Sequence, residues 1–294
     1  MRDQKVSGGR SAVSGTEESS ARGLLAAVSG GLLLGLLLLP LTAYRSPLTA
    51  LQIQDNSFLI EEAYNQESGV VQHISTFARP SDGNSWAYSF TQEWPLRGIR
   101  HQLSYTLPVQ NDVAGTGLGD VGLNYRHQLV GNPEVPVVFA PRLSLLLPTG
   151  DHEQGRGAGA LGFQTNLPLS VVLSRAVVSH WNAGATITPS AKSSMGDEAT
   201  TASFNLGASA IWLVHPHFNL MVEALWQSTA VVAGGGETVR DESLLLNPGV
   251  RGAINLANDL QIVPGVAYTI DLGSGSEENA LFVYLSFEHP FKRQ

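Results

Sequence analysis

Gly117-Leu-Gly-Asp-Val-Gly-Leu-Asn-Tyr-Arg-His-Gln-Leu129 decides how this chain of 294 residues is read. Leu118, Val121, Leu123, Tyr125 and Leu129 make an apolar set, while Asp120, Asn124, Arg126 and Gln128 make a polar one that Gly122 joins. Side chains of a strand point alternately to its two faces, so a period near two marks a ribbon with unlike sides. No helical period fits the stretch.

The pattern extends upstream. Over 85–94, Trp86, Tyr88, Phe90 and Trp94 share one face and Ser89, Thr91 and Glu93 take the other. Over 99–107, Ile99, Leu103, Tyr105 and Leu107 stand against Arg100, Gln102, Ser104 and Thr106. Comparable segments lie at 69–79, 136–147, 161–173, 177–188, 202–214, 217–230, 243–254, 260–271 and 280–291, which makes twelve in all. A tilted strand needs about 9–11 residues to cross a bilayer, and these segments suffice. An even number also suits a closed antiparallel sheet with both termini on one side.

The connections alternate in length. The stretches 80–84, 109–116, 148–160, 189–200, 231–242 and 272–279 are long. Those at 95–98, 174–176, 215–216 and 255–259 are tight, and 130–135 is the longest of the second set. Long loops on one rim and short turns on the other characterise outer-membrane barrels. The polar faces carry long and charged groups, unlike the packed apolar interior of a soluble barrel. Trp86 and Trp226 fall toward the long-loop rim, and Trp94, Trp212 and Phe291 toward the short-turn rim, as interfacial girdles do. The fold class predicted is all-β: a closed antiparallel transmembrane β-barrel of about twelve strands, with a soluble extracellular β-sandwich as the competing reading.

The first 50 residues have a different character. Leu24 to Leu39 is apolar and uncharged, Arg22 precedes it and Pro40 follows. Sixteen helical residues reach about 24 Å, short of a hydrocarbon core of roughly 30 Å. A signal peptide is therefore favoured over an anchor, with cleavage after Ala43 or Ala50. Residues 51–68 form an N-terminal segment, periplasmic or lumenal, and 69–294 form the barrel. Within that segment, 58–64 is read either as a short helix tucked in the lumen or as part of a free tail.

With no cysteine, the chain has no disulfide scaffold and no thiolate metal site. A net charge of −8 without a basic cluster argues against nucleic acid. His215-Pro216-His217 lacks a third ligand, so no metal or other cofactor is expected. The Gly-rich stretch 149–159 has no phosphate-loop lysine and reads as an exposed, mobile loop. His101, His127 and His289 fall on the outward register near the short-turn rim.

Seven charged residues of the inward register are candidates for lining the lumen: Glu93, Arg100, Arg126, Arg142, Glu223, Arg251 and Glu288. A four-residue turn would set Glu93 opposite Arg100 as a cross-strand ion pair. Together the seven make a mixed-sign belt. It either orients polar solutes in a water-filled bore or neutralises itself and fills a narrow one. A hydrolase built on Ser144, His180 and Asn182 is the weakest alternative, since no nucleophile motif surrounds Ser144.

The stretch 117–129 quoted above resembles a signature of the "MetA-pathway of phenol degradation" family. Ala140-Pro-Arg-Leu-Ser-Leu-Leu-Leu-Pro-Thr-Gly-Asp151 is similar to its second strong block, and Ile53-Gln-Asp-Asn-Ser-Phe-Leu-Ile-Glu-Glu-Ala-Tyr-Asn-Gln-Glu67 also looks like members of it. The resemblance implies an outer-membrane barrel that transports small solutes, in some members linked to aromatic compounds. It carries no functional residues to this chain. Two departures are the long stretch before Leu24 and the Lys292-Arg293-Gln294 that follows the terminal aromatic Phe291.

The expectations are then an outer-membrane channel for small solutes, aromatic or hydrophobic compounds among them, with a sealed structural or surface-interaction barrel as alternative. The partners are membrane lipid, small solutes and the outer-membrane assembly machinery, in a Gram-negative-type bacterium.

Overall fold

The computed structural model describes residues 56–81, 83–132, 135–256, 260–273 and 279–291. The expected signal peptide and both cleavage positions lie outside the described residues.

Twelve strands form in chain order: β1 (Val70–Pro80), β2 (Trp86–Pro95), β3 (His101–Asp112), β4 (Gly115–Leu118 and Val121–His127), β5 (Val137–Phe139 and Arg142–Leu147) and β6 (Gly162–Asn166 and Leu169–Val172). They continue as β7 (Val177–Lys192), β8 (Glu198–His215), β9 (Phe218–Val232), β10 (Thr238–Gly252 and Ile254–Asn255), β11 (Gln261–Asp271) and β12 (Ala280–Pro290). Each pairs antiparallel with its chain neighbours. β12 returns to β1 from Val70↔Pro290 to Pro80↔Ala280, so the sheet closes and no edge is left unpaired. The break in β4 at Gly119 and Asp120 lets Leu118 share the outer face with Val121 despite their odd spacing.

The two faces differ as a bilayer requires. Leu123, Leu143, Leu206, Trp212, Trp226 and Val266 are all exposed on the outside, Leu143 by as much as 62 %. So extensive an apolar surface is untenable in water and natural in hydrocarbon. The buried residues are mostly polar: Gln102, Ser104, Asn124, Arg126, Asn182, Ser209, Glu223 and Asn247 all face the lumen. The β-sandwich reading ends here.

Three expected loops are partly strand. β3–β4 stays paired up to Asp112↔Gly115, β7–β8 up to Lys192↔Glu198 and β9–β10 up to Val232↔Thr238. Beyond the bilayer both faces of a ribbon meet water, so alternation fades while the hydrogen-bond ladder continues. The stretch 149–159, expected as an exposed loop, is exposed in part and folds back on the wall. The Asp120 carboxylate accepts the Gly150 and Ala158 N–H groups at 3.0 and 2.7 Å, and Arg156 is buried. A Cβ at Gly150 would lie 1.8 Å from the Arg156 carbonyl oxygen, so only glycine permits this folding-back.

The β2–β3 turn corrects a second expectation. Pro95 stays in the ladder opposite Gln102, and the chain reverses through Gly98 in the left-handed region at φ 69°. This shifts the register by four residues, so Glu93 faces Ser104. Glu93 and Arg100 therefore do not face each other, and Arg100 stands exposed at the turn.

Candidate functional site

Residues 56–68 run through the lumen as irregular chain without a helical turn. They are neither the short helix nor the free tail expected. Irregular backbone sealed from water must find hydrogen-bond partners or lose about 1–3 kcal/mol for each orphaned group. Here the inward side chains of the strands supply them.

One oxygen of Glu223 on β9 accepts the N–H groups of Phe58, Leu59 and Ile60 at 3.0, 2.8 and 3.0 Å. Asn182 on β7 accepts from Glu61 N–H at 2.8 Å and donates to Glu61 C=O at 2.7 Å. Ser170 on β6 takes Ala63 N–H, Gln128 takes that of Asn65, and Gln102 on β3 takes that of Gln66. Arg126 on β4 covers the opposite polarity, donating to the carbonyls of Glu62 and Tyr64 at 3.0 and 2.5 Å and to the Asn65 side chain at 2.8 Å. Arg251 on β10 donates to the Asn56 carbonyl. We call this segment the plug.

Its side chains add charge and apolar contacts. Glu61 bridges two arginines, 3.1 Å from Arg126 and 2.9 Å from Arg142, and accepts from Asn166 at 2.8 Å. The Phe58 ring packs 5.5 Å from that of Phe282 and 5.2 Å from that of Tyr284, among Val263 and Ala267. Gly249 and Gly265 make that space: added Cβ atoms would come within 2.7 and 2.6 Å of the ring. Ile60 is buried over Gly207.

Two plug carboxyls, which lie outside the strands, are perturbed in opposite directions. Burial raises Glu61, but the guanidinium groups of Arg142 and Arg126 outweigh it and hold its pKa below the usual 4.5. Burial pushes Glu62 up to about 7, with Arg126 opposing and Glu93 and Glu61 adding to the rise.

Of the seven predicted residues, Glu93, Arg126, Arg142, Glu223, Arg251 and Glu288 engage the plug or its holders. Arg126, Arg142, Glu223 and Arg251 grip the plug directly. Glu93 accepts from Gln102 at 2.7 Å and lies 3.8 Å from Arg126, and Glu288 accepts from Gln72, which holds Gln66. Sequence reasoning missed the uncharged half of the grip. Gln72, Ser170 and Asn182 carried only the inward-polar signal, which gives a face and no partner.

The hydrolase constellation does not assemble. His180 pairs with Ser170 at 2.7 Å, fully buried beneath Tyr64, whereas Ser144 accepts from Arg142. The outward histidines form two stacked cross-strand pairs, His101 on His127 at 4.7 Å and His73 on His289 at 5.3 Å. Among the described residues no group of three metal-ligating side chains occurs.

Above the plug, toward the long-loop rim, lies a cup of about 180 Å3. Its floor is Leu59, Glu61 and Arg142, and its walls are largely amides.

No known protein family matches the chain, and no curated protein is similar to it. The resemblance to the MetA-pathway family thus stays with the residues that carry it. Among solved structures, an outer membrane channel from Pseudomonas putida F1 is similar at a TM-score of 0.56 and 11% identity, covering 77% of this chain and 97% of that one. The NanC porin is similar at a TM-score of 0.48 and 8% identity, covering 76% of this chain and 100% of its own. With its closed ladder, apolar belt and polar lumen, the chain has the fold of a twelve-stranded outer-membrane β-barrel.

Proposed function

We propose that this barrel is a passive outer-membrane channel for small solutes, closed by residues 56–68 and opened when they withdraw. One observation carries the reading. The plug has no part in the strand ladder and is held by side chains, whereas the barrel wall closes on itself through β1 and β12. A detachable stopper in a self-sufficient wall is the arrangement of a gate. Aromatic or otherwise hydrophobic compounds are the finer reading of the solute class. Its support is the apolar sector of the lumen, where Phe58 sits against Phe282 and Tyr284 and which Phe58 would vacate on withdrawal. Ion pairing and amide bonds around Glu61 favour a second reading, a permanently sealed structural barrel.

Deleting residues 51–68 separates the two. The variant is expected to keep the heat-modifiable gel migration of a folded barrel and to raise planar-bilayer conductance roughly tenfold or more over the intact protein. A folded deletion variant that conducts no better than the parent would leave only the sealed barrel.

A further inference from the structure

The cup above the plug is walled mainly by side-chain amides. Gln164, Asn166, Asn182, Asn205 and Gln227 bring five amides from β6, β7, β8 and β9 around one cavity. We propose that this cup is a binding site for one uncharged, hydroxyl-rimmed ring the size of a monosaccharide.

Four observations point there. First, the side-chain amides of Asn205 and Gln227 line the cup and engage no hydrogen-bond partner among the described residues, while Asn166 Nδ2 serves Glu61 and Asn182. An amide that no protein group engages is open to a ligand or to water. Secondly, Asn205 is accommodated by a missing side chain. A Cβ at Gly184 would fall 2.4 Å from Asn205 Oδ1, so the glycine makes room for the amide. Thirdly, neither charged side chain of the cup is free, because Glu61 and Arg142 are paired at 2.9 Å. A charged solute would enter without a free counter-charge, whereas hydroxyl groups that both donate and accept match amides that do the same. Fourthly, Leu59 and Leu225 give the cup an apolar patch, which suits the C–H face of a sugar ring. A volume of about 180 Å3, below the roughly 300 Å3 at which drug-sized pockets begin, suits a single ring.

The site rests on the channel reading only in that a solute must reach the lumen; its binding can be measured without any ion flow. Titrate the intact refolded protein in detergent with D-glucose and follow saturation-transfer NMR on the sugar. Saturable binding in the millimolar range is expected, with glucuronate at least about tenfold weaker. The double variant Asn205→Leu/Gln227→Leu, which leaves every plug contact in place, should lose glucose binding about tenfold or more and keep its gel migration. A signal that does not saturate, glucuronate bound as tightly as glucose, or a folded double variant that binds like the parent would each overturn the proposal. None of these results bears on the conductance of the plug deletion, so the two readings fail separately.

Discussion

The two halves of the lumen are lined by the same kinds of residue and put to different use. In the half toward the short turns, Gln102, Gln128, Ser170 and Glu223 spend their hydrogen-bonding capacity on the backbone of residues 58–66. In the half toward the long loops, Asn205 and Gln227 line a cavity and grip no part of the plug. The wall needs no filling to be complete, since its ladder closes in both halves. The contrast teaches that the plug is an addition to the barrel, matched to one level of it, and that a substitution should act according to the level it occupies.

Glu223→Ala should break that contrast most strongly. It strips three backbone N–H groups of their shared acceptor in a single change. The loss should weaken plug docking by about 2–4 kcal/mol, or roughly 30- to 1,000-fold more frequent release. Amide hydrogen exchange at residues 58–60 measures this directly. Asn205→Leu, in the other half, should leave the same amides as protected as in the parent. Equal protection in both variants would mean that the plug is held by something other than the Glu223 grip.

Gly265→Val should have a smaller effect. The new Cβ would meet Phe58 at 2.6 Å and Arg251 Cγ at 3.1 Å, so the ring must leave its place between Phe282 and Tyr284. Because a flexible side chain and not backbone has to yield, the cost should be about 1–2 kcal/mol, or roughly tenfold more openings in single-channel records. An unchanged opening rate would show that Phe58 is a passenger and that the polar grip alone sets docking.

The sequence made the wall legible and the stopper illegible, for a physical reason. Alternation such as Val121, Leu123 and Tyr125 against Asn124 and Arg126 exists because one face must meet lipid and the other must not. That constraint acts on every turn of the barrel, so it gives strand number, inward register and closure. It stops at the bilayer edge, which is why 189–200 and 231–242 read as loops although strands run into them. The plug obeys no period. Its bonds are made by backbone groups, which every sequence has, to Glu223, Asn182 and Ser170 far along the chain. Parity alone puts seven charges on the inward register, but parity does not reveal whether an inward arginine meets water or a carbonyl. The Glu93–Arg100 pairing fails because a turn from Pro95 to Gly98 is too early, the register following from Pro95 remaining paired with Gln102.

The smallest effect sharpens the comparison by asking which way protons move the plug. Docking buries Glu62, and burial raises its pKa from the ordinary 4.5 to about 7 against the pull of Arg126, with Glu93 and Glu61 nearby adding to the rise. The docked state thus holds a proton more tightly than the released one, so lowering the pH from about 8 to about 6 should favour docking and raising it should favour release. Glu61 does not interfere in this window. Its pKa is held below 4.5 in the docked state, so its ion pairs persist there and weaken only at lower pH. Closed time in planar bilayers should therefore lengthen severalfold on acidification through neutrality, and Glu62→Gln should flatten the dependence. Lengthening that survives Glu62→Gln would move the proton to another carboxyl. Shortening on acidification would mean that release, not docking, takes the proton up.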